Sequence, residues 1–378
     1  MASGSARART AAAAVAGVGI AAALTFSGLG GGGGDEGREG GEGGADVPAA
    51  SDVTRSAPSS DAGAQPSGEA SEQAPGDSPG DSSGDSSGEA RTPSALTRVL
   101  FDAAHGQTAG NADWVISTSM PDPLGEDPDP QDEGDWTGAL STWGVALAAY
   151  ADLYRVASNP PGRPLTYGEA GNGLDLTKVE VLVLPEPNRA LSAAEMRAVV
   201  AFVSGGGGLF LIVDHADSDR DNDGIDSVGV AGRLLAAFAD QGLPTGLVVA
   251  EADIDYENTD NLADGAADHP VVDGAWGRAE SSILRGGTTI DLESSSNAAA
   301  ACLLYRDGVD PSGDTGCFLA RSEVGGSDGG RILVWGDSSP VDDGTGDPGD
   351  RLYANFSDPR DTNEAWALNG TDWLAGLS

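Results

Sequence analysis

From residue 97 onward the chain is punctuated by short apolar runs, each bounded by glycine, proline or an acid. Thr97–Asp102 reads TRVLFD, Val179–Leu184 reads VEVLVL, Leu209–Val213 reads LFLIV and Arg331–Trp335 reads RILVW. Runs this short, apolar without alternation, predict strands of a parallel sheet covered on both faces. Between them apolar residues recur at helical spacing. Gly138–Arg155 carries Leu140, Trp143, Leu147, Tyr150 and Tyr154, and Ser192–Ser204 carries Met196, Val199, Val200 and Val203. Ser192 with Glu195 three residues on makes a capping box, and Gly205 is placed to close the helix as its C′ glycine. Val230–Ala239 and Glu364–Leu374 are two further helices, the last with Trp366, Leu368 and Trp373. Leu165–Gly168 reads as a short second strand and Leu247–Ala250 as an edge strand.

Strands then follow without helices between them, over about Ser281–Leu292, Ala298–Tyr305 and Gly316–Glu323. That order predicts an antiparallel strand extension on a mostly parallel sheet. The class is α/β, a three-layer flavodoxin-like sandwich. Each core strand leads into polar residues at the same end: Asp102 and His105, Glu186 and Asn188, Asp214 and His215, Asp337 and Ser338. Ligands of open α/β sheets bind beyond the carboxyl ends of the strands, so these four pairs define an expected cleft.

Composition divides the chain into three parts. Residues 1–29 place Arg7 and Arg9 before an uninterrupted run of small and apolar residues, Ala11–Leu24, the layout of a secretory signal or a short membrane anchor. Residues 30–92 are rich in Gly, Ser, Asp, Glu and Pro and read as a disordered acidic linker, lacking the apolar residues that offset the entropy of ordering. Residues 93–378 form the α/β domain. The protein is thus expected to be exported, to the periplasm, cell surface or medium. Its net charge is −40, with 60 acids against 20 bases and a single lysine, Lys178. Such a surface repels phosphate backbones, which excludes nucleic acid as a partner, and it repels anionic lipid. Membrane contact is expected only through an uncleaved N-terminal segment. Cys302 and Cys317 flank a turn-rich loop; in an exported chain that spacing predicts a disulfide across a hairpin, worth about 3 kcal/mol in the chain-entropy model. No Cys-x-x-Cys exists, so a zinc–cysteine site is excluded.

Three stretches carry a resemblance: VLFDAAHG, then VEVLVLPEPNRALSAAEMRAVVAFVSGGGGLFLIVDH, then RILVWGDSSP with the closing LNGTDWLAG. They resemble the class I glutamine amidotransferase-like superfamily, in particular its non-amidotransferase branch. That branch includes domains of gliding-motility and intraflagellar-transport proteins and related exported bacterial proteins. The resemblance implies the flavodoxin-like fold and a site after the central strand. True amidotransferases place a cysteine in the tight turn that follows that strand. Here the turn is Val213-Asp214-His215-Ala216, with no cysteine near it, which argues against glutamine hydrolysis.

The loop after the central strand offers Asp217, Asp219, Asp221, Asp223 and Asp226 as candidate ligands for Ca²⁺. From Asp219 it reads D-x-D-x-D-G, the front half of a calcium loop, in which hard oxygens at alternate positions wrap the ion. The twelfth position is Val230 where an EF-hand needs Glu, so a complete EF-hand is excluded. His105, His215 and His269 each have a carboxylate nearby in sequence. His105, Asp214 and His215 are candidate catalytic residues, with His215 a general base or, with aspartates, part of a Zn²⁺ site. Ser338 and Ser339 lack a G-x-S-x-G elbow. Trp114, Trp136, Trp143 and Trp276 are candidate sugar platforms, Trp143 being the best placed for the core. The leading expectation is a binding domain for a polar ligand, a glycan among the candidates, in a cleft lined by Asp102, Glu186, Asn188, Asp337 and Ser338. The alternative is a metal-dependent hydrolase built on His105, His215 and aspartates.

Overall fold

The computed structural model describes residues 96–110, 113–132, 134–346 and 354–378. Residues 1–29 and 30–92, for which a signal or anchor and a linker are expected, lie outside the described residues. The first four strands, all in the parallel part of the sheet, are β1 (Thr97–Asp102), β2 (Tyr154–Asn159), β3 (Val181–Pro185) and β4 (Gly208–Ile212). Short strands follow: β5 (Leu247–Val249), β6 (Glu257–Thr259), β7 (Asn261–Leu262), β8 (Asp273–Gly274), β9 (Gly277–Arg278), β10 (Ser282–Leu284) and β11 (Ile290–Leu292). The last three strands are β12 (Ala301–Tyr305), β13 (Cys317–Val324) and β14 (Gly330–Trp335). The helices are α1 (Ser141–Ala148), α2 (Ala193–Ser204), α3 (Ser227–Asp240) and α4 (Asn363–Leu374).

The main sheet runs β2-β1-β3-β4-β14-β13-β11-β5. Its first five strands are parallel, and β13, β11 and β5 continue it antiparallel. This is the expected three-layer flavodoxin-like α/β sandwich. Helices α1 and α4 pack together on one face, α2 and α3 on the other. Period-two alternation along buried strands explains how both faces are served. Phe210 turns to Trp143 of α1, with ring centroids 5.3 Å apart, and Gly370 of α4 seats its backbone against Phe210 and Leu333. No helix among the described residues is long and apolar enough to cross a membrane.

The capping box at Ser192 and Glu195 is formed as expected. The glycine turn differs by one position. Gly205 is the C-cap at φ −88°, and Gly206 takes the left-handed conformation at φ 94°. A larger correction concerns residues 138–168. The helix ends at Ala148, and Tyr154–Asn159 is a strand parallel to β1, whereas Leu165–Gly168 is not a strand. Tyr150 and Tyr154 continue the helical spacing, but Tyr154, Val156 and Ser158 also alternate, and burial against the sheet favours the strand. The region 281–292 is two strands, β10 and β11, in different sheets.

Because the chain passes from β1 out to β2 and returns to β3 on the other side of β1, the strand order reverses between β1 and β3. In open α/β sheets ligand crevices form at such topological switch points, beyond the carboxyl ends of the strands. The expected polar residues sit at the ends of β1, β3, β4 and β14, four consecutive neighbours in the sheet.

Candidate functional site

At the ends of β3, β4 and β14 lies a buried, hydrogen-bonded group. Glu186 follows β3 and has no solvent exposure; it sits at φ 34°, a backbone conformation that non-glycine residues adopt rarely. The pairing of the sheet holds it there, since its amide donates to the Ile212 carbonyl at 2.9 Å. Its Oε2 accepts the Ser338 hydroxyl at 2.6 Å and its Oε1 accepts the Asn188 amide at 3.1 Å. Asp214, after β4, is also buried, and its backbone amide donates to Ser227 Oγ at the start of α3. Asp337, after β14, accepts the amides of Arg285 and Ser339 at 2.5 and 2.8 Å.

One residue joins the two strand-end carboxylates. Arg220, from the acidic loop, donates through Nε to Glu186 Oε1 at 2.8 Å and through Nη2 to Asp214 Oδ2 at 2.6 Å. Its side chain keeps 22% exposure, so it closes the group toward solvent. The charges are strongly interdependent. Burial, reinforced by the Glu186 and Asp337 carboxylates, pushes Asp214 well above the usual carboxylate range, with Arg220 opposing. Burial pushes Asp337 up to about 7. Although burial works against it, the Glu186 and Asp214 carboxylates hold the Arg220 guanidinium above its ordinary value. His215 borders the group with Nε2 3.7 Å from Asp214 Oδ2, while its Nδ1 lies 2.7 Å from the Ala216 carbonyl. Asp253 approaches the same nitrogen at 3.8 Å.

His105 and Asp102 belong to a separate arrangement. His105 Nδ1 lies 2.7 Å from Asp102 Oδ2, and Nε2 lies 3.2 Å from Glu195 Oε1. Asp102 also accepts Gln107 and Asn159, and Glu195 also accepts the amides of Leu165 and Ser192. Burial alone would favour neutral imidazole, but Asp102 and Glu195 outweigh it and lift the pKa to about 10. Against burial, His105 and Ser192 hold Glu195 at about 2. A protonated imidazole with both nitrogens committed has no lone pair for a metal or for a substrate proton. His105 is therefore a buried cation tying the end of β1 to the start of α2. Its backbone alone meets the strand-end group: its carbonyl accepts the amides of Asn188 and Arg189.

The acidic loop gathers three of its five aspartates. One carboxylate oxygen from each of Asp219, Asp221 and Asp223 lies within 4.8 Å of the others, the single such set of three or more potential ligands among the described residues. Asp226 is instead the N-cap of α3, accepting Gly229 N at 2.8 Å and Asp217 N at 2.7 Å. Asp217 turns the chain at φ 65°. Asp221 pairs with Arg189 at 2.9 Å. Among the described residues, no set of three or more closely placed potential ligands contains His105 or His215.

Other candidates resolve simply. Trp114, Trp136 and Trp143 are core residues, so no sugar can stack on them. Trp276 is partly exposed, edge-on to Tyr150, and donates to Asp372. His269 packs on Trp373; burial, with Arg321 and Arg331 nearby, brings it down to about 4. Cys302 and Cys317 form the expected disulfide between β12 and β13. Sequence reasoning missed Arg220 and Glu195. Arg220 is the sole base between Asp214 and Asp226, which marks it as a partner for acids. Glu195 was legible only as a helix cap.

No protein-family model matches the chain, and no curated protein matches it. Solved structures of similar fold include the mmIFT52 N-terminal domain, at 13% identity and TM-score 0.42, covering 73% of this chain and 97% of that one. A ThuA-like protein from Parabacteroides merdae matches at 12% identity and TM-score 0.39, covering 75% and 91%. A cytoplasmic protein from Salmonella typhimurium, STM3548, matches at 11% and 0.40, covering 74% and 99%.

Proposed function

We propose that the α/β domain is an exported, non-catalytic module that binds a polar ligand, a glycan among the candidates, at the strand-end group, with Ca²⁺ ordering the adjacent acidic loop. The observation that carries this reading is the convergence of Glu186, Asp214 and Ser338, from three neighbouring strand ends, on one buried group closed toward solvent by Arg220. The chemistry favours binding over catalysis. Both cysteines are held in a disulfide, so neither offers a thiol nucleophile. A disulfide also supports export, since reducing compartments disfavour it. The Asp219, Asp221 and Asp223 cluster supplies hard oxygens suited to Ca²⁺, whose remaining ligands would be backbone carbonyls and water.

Calorimetry on the full chain with neutral sugars, uronic acids and amino sugars tests the first part. Saturable binding that is weakened at least tenfold by Ser338→Ala supports it; no response to any of these classes refutes it. Thermal unfolding with Ca²⁺ tests the second. At a hundredfold excess over Kd the stabilisation is about 2.7 kcal/mol, and it disappears in the Asp219→Asn/Asp223→Asn double variant.

A further inference from the structure

We propose that a cavity at the amino ends of β1 and β2, at the opposite end of the sheet from the strand-end group, binds a small anion that carries an apolar body. This site is independent of the one proposed above.

Arg98 and Arg155 are the second residues of β1 and β2 and are direct partners in the parallel register. Neighbouring strands lie about 4.8 Å apart, so the two side chains leave one face of the sheet side by side. Like charges placed in this way repel each other unless an anion lies between them. Lys178, in the turn that leads into β3, lines the same cavity, whose volume is about 250 Å³. Three bases at one hollow run against the composition, which has 60 acids for 20 bases. The default for an arginine in such a chain is an acidic partner, and Arg189, Arg220, Arg278, Arg306, Arg321 and Arg360 all have one. Arg98, Arg155 and Lys178 form no ion pair among the described residues.

Their donors remain largely unspent. Arg98 gives one Nη1 hydrogen to the Lys178 carbonyl at 3.2 Å. Lys178 Nζ donates to the carbonyls of Asn172 at 2.7 Å and Ala170 at 3.4 Å, which leaves one of its three hydrogens. The Arg155 guanidinium has no hydrogen-bond partner among the described residues, so its planar fork is open to a carboxylate or phosphoryl group. The acid beside them in the sheet is Glu180, whose Oε2 accepts the Arg98 backbone amide at 2.7 Å.

The hollow is not only basic. Leu100 and Ala157 lie two residues further along each strand and hence on the same face as the arginines, and Leu174 stands with them in the cavity wall. A bare inorganic ion has no use for that surface, whereas a ring or short chain behind the charged head buries it. At about 30 Å³ per water the volume equals roughly eight waters, the size of one small ring with its head group. The negative charge of the rest of the surface does not cancel the site. At physiological ionic strength charges more than about 8 Å away are largely screened, so the three local bases dominate.

The test uses the full chain and saturation-transfer NMR with benzoate, phenyl phosphate, acetate and neutral benzyl alcohol. In the wild type, benzoate or phenyl phosphate should bind saturably, about tenfold or more tightly than acetate and benzyl alcohol. Whichever of the two binds better names the head as carboxylate or phosphoryl. Arg155→Gln should weaken that binding about tenfold or more, Arg155→Lys should recover part of the loss, and Arg98→Gln with Arg155→Gln should abolish it. Arg155 lacks a partner and has a like-charged neighbour, so Arg155→Gln should unfold at the wild-type temperature or above, which separates lost binding from lost structure. Ala157→Leu fills the hollow with all three bases in place and should also weaken the probe; were it not to fold, the acetate comparison still reports on the apolar wall. The inference is overturned if no anionic probe binds saturably, if acetate or benzyl alcohol binds as tightly as the anionic aryl probes, or if the double arginine variant binds like the wild type.

Discussion

Replacing His105 by Gln should destabilise the domain by an amount that depends on pH in a calculable way. The imidazolium lies between Asp102 at 2.7 Å and Glu195 at 3.2 Å, in a buried setting. Its folded pKa is about 10 against an ordinary 6.5. At about 1.4 kcal/mol per unit, that difference sets a ceiling of about 5 kcal/mol on what the charge contributes. Breaking a buried ion pair by removing one partner costs about 3–5 kcal/mol, which agrees. Below 6.5 both folded and unfolded chains hold the proton and the contribution is complete. Between 6.5 and 10 the unfolded chain has released its proton while the folded chain keeps it. Stability from this group therefore falls by about 1.4 kcal/mol per pH unit as pH rises. Urea unfolding followed by tryptophan fluorescence, at about pH 6, 7 and 8.5, measures this in both proteins. The wild type should exceed His105→Gln by about 3–5 kcal/mol at the lowest pH, and the gap should narrow by roughly 3 kcal/mol at the highest. Comparing the two proteins cancels the titration of the groups that do not interact with His105. A gap that stays constant over that range would show that His105 is neutral in the folded state and would refute the reasoning.

Two further expectations concern the same end of the sheet. Asp226→Ala removes the N-cap of α3 and the acceptor for the Asp217 amide, and should cost about 1 kcal/mol or somewhat more in urea unfolding, with Asp226→Asn recovering most of it. Asp337, raised by burial to about 7, keeps its proton in the folded chain after the unfolded chain has lost it, so its contribution to wild-type stability falls as pH rises from about 4 to 7. In Asp337→Asn the stability should fall less steeply with pH than in the wild type, and an unchanged slope would show that the carboxyl is ionised throughout.

The sheet was legible because its strands are apolar on both faces. LFLIV and RILVW admit few other placements, and their flanking Gly and Asp mark the ends to within one or two residues. Tyr154–Asn159 was not, because a helix and a strand can share the spacing of Tyr150, Tyr154 and Leu147 until burial decides between them. The site shows the same division more sharply. A strand end fixes how far along the sheet a residue lies, so Asp102, Glu186, Asp214 and Asp337 were all found at one end. It does not fix where a loop residue three positions later turns its side chain. His105 follows Asp102 in a loop whose Gln107 accepts the His105 amide, and that turn carries the imidazole to Glu195 at the start of α2. His215, also three residues beyond its strand, stays with Asp214. Two histidines with the same pattern of preceding strand and carboxylate thus take opposite roles: one a saturated buried cation, the other a partly exposed neighbour of the strand-end group. What separates them is a long-range partner, Glu195, ninety residues away in sequence, whose own signature is that of a helix cap. Arg220 follows the same logic in reverse. Its place among five aspartates suggests a solvated charge, yet the nearest deep carboxylates are on strands 34 and 6 residues behind it. Local pattern sets which groups are available at the rim of a sheet, and the competition for buried charge decides which of them meet.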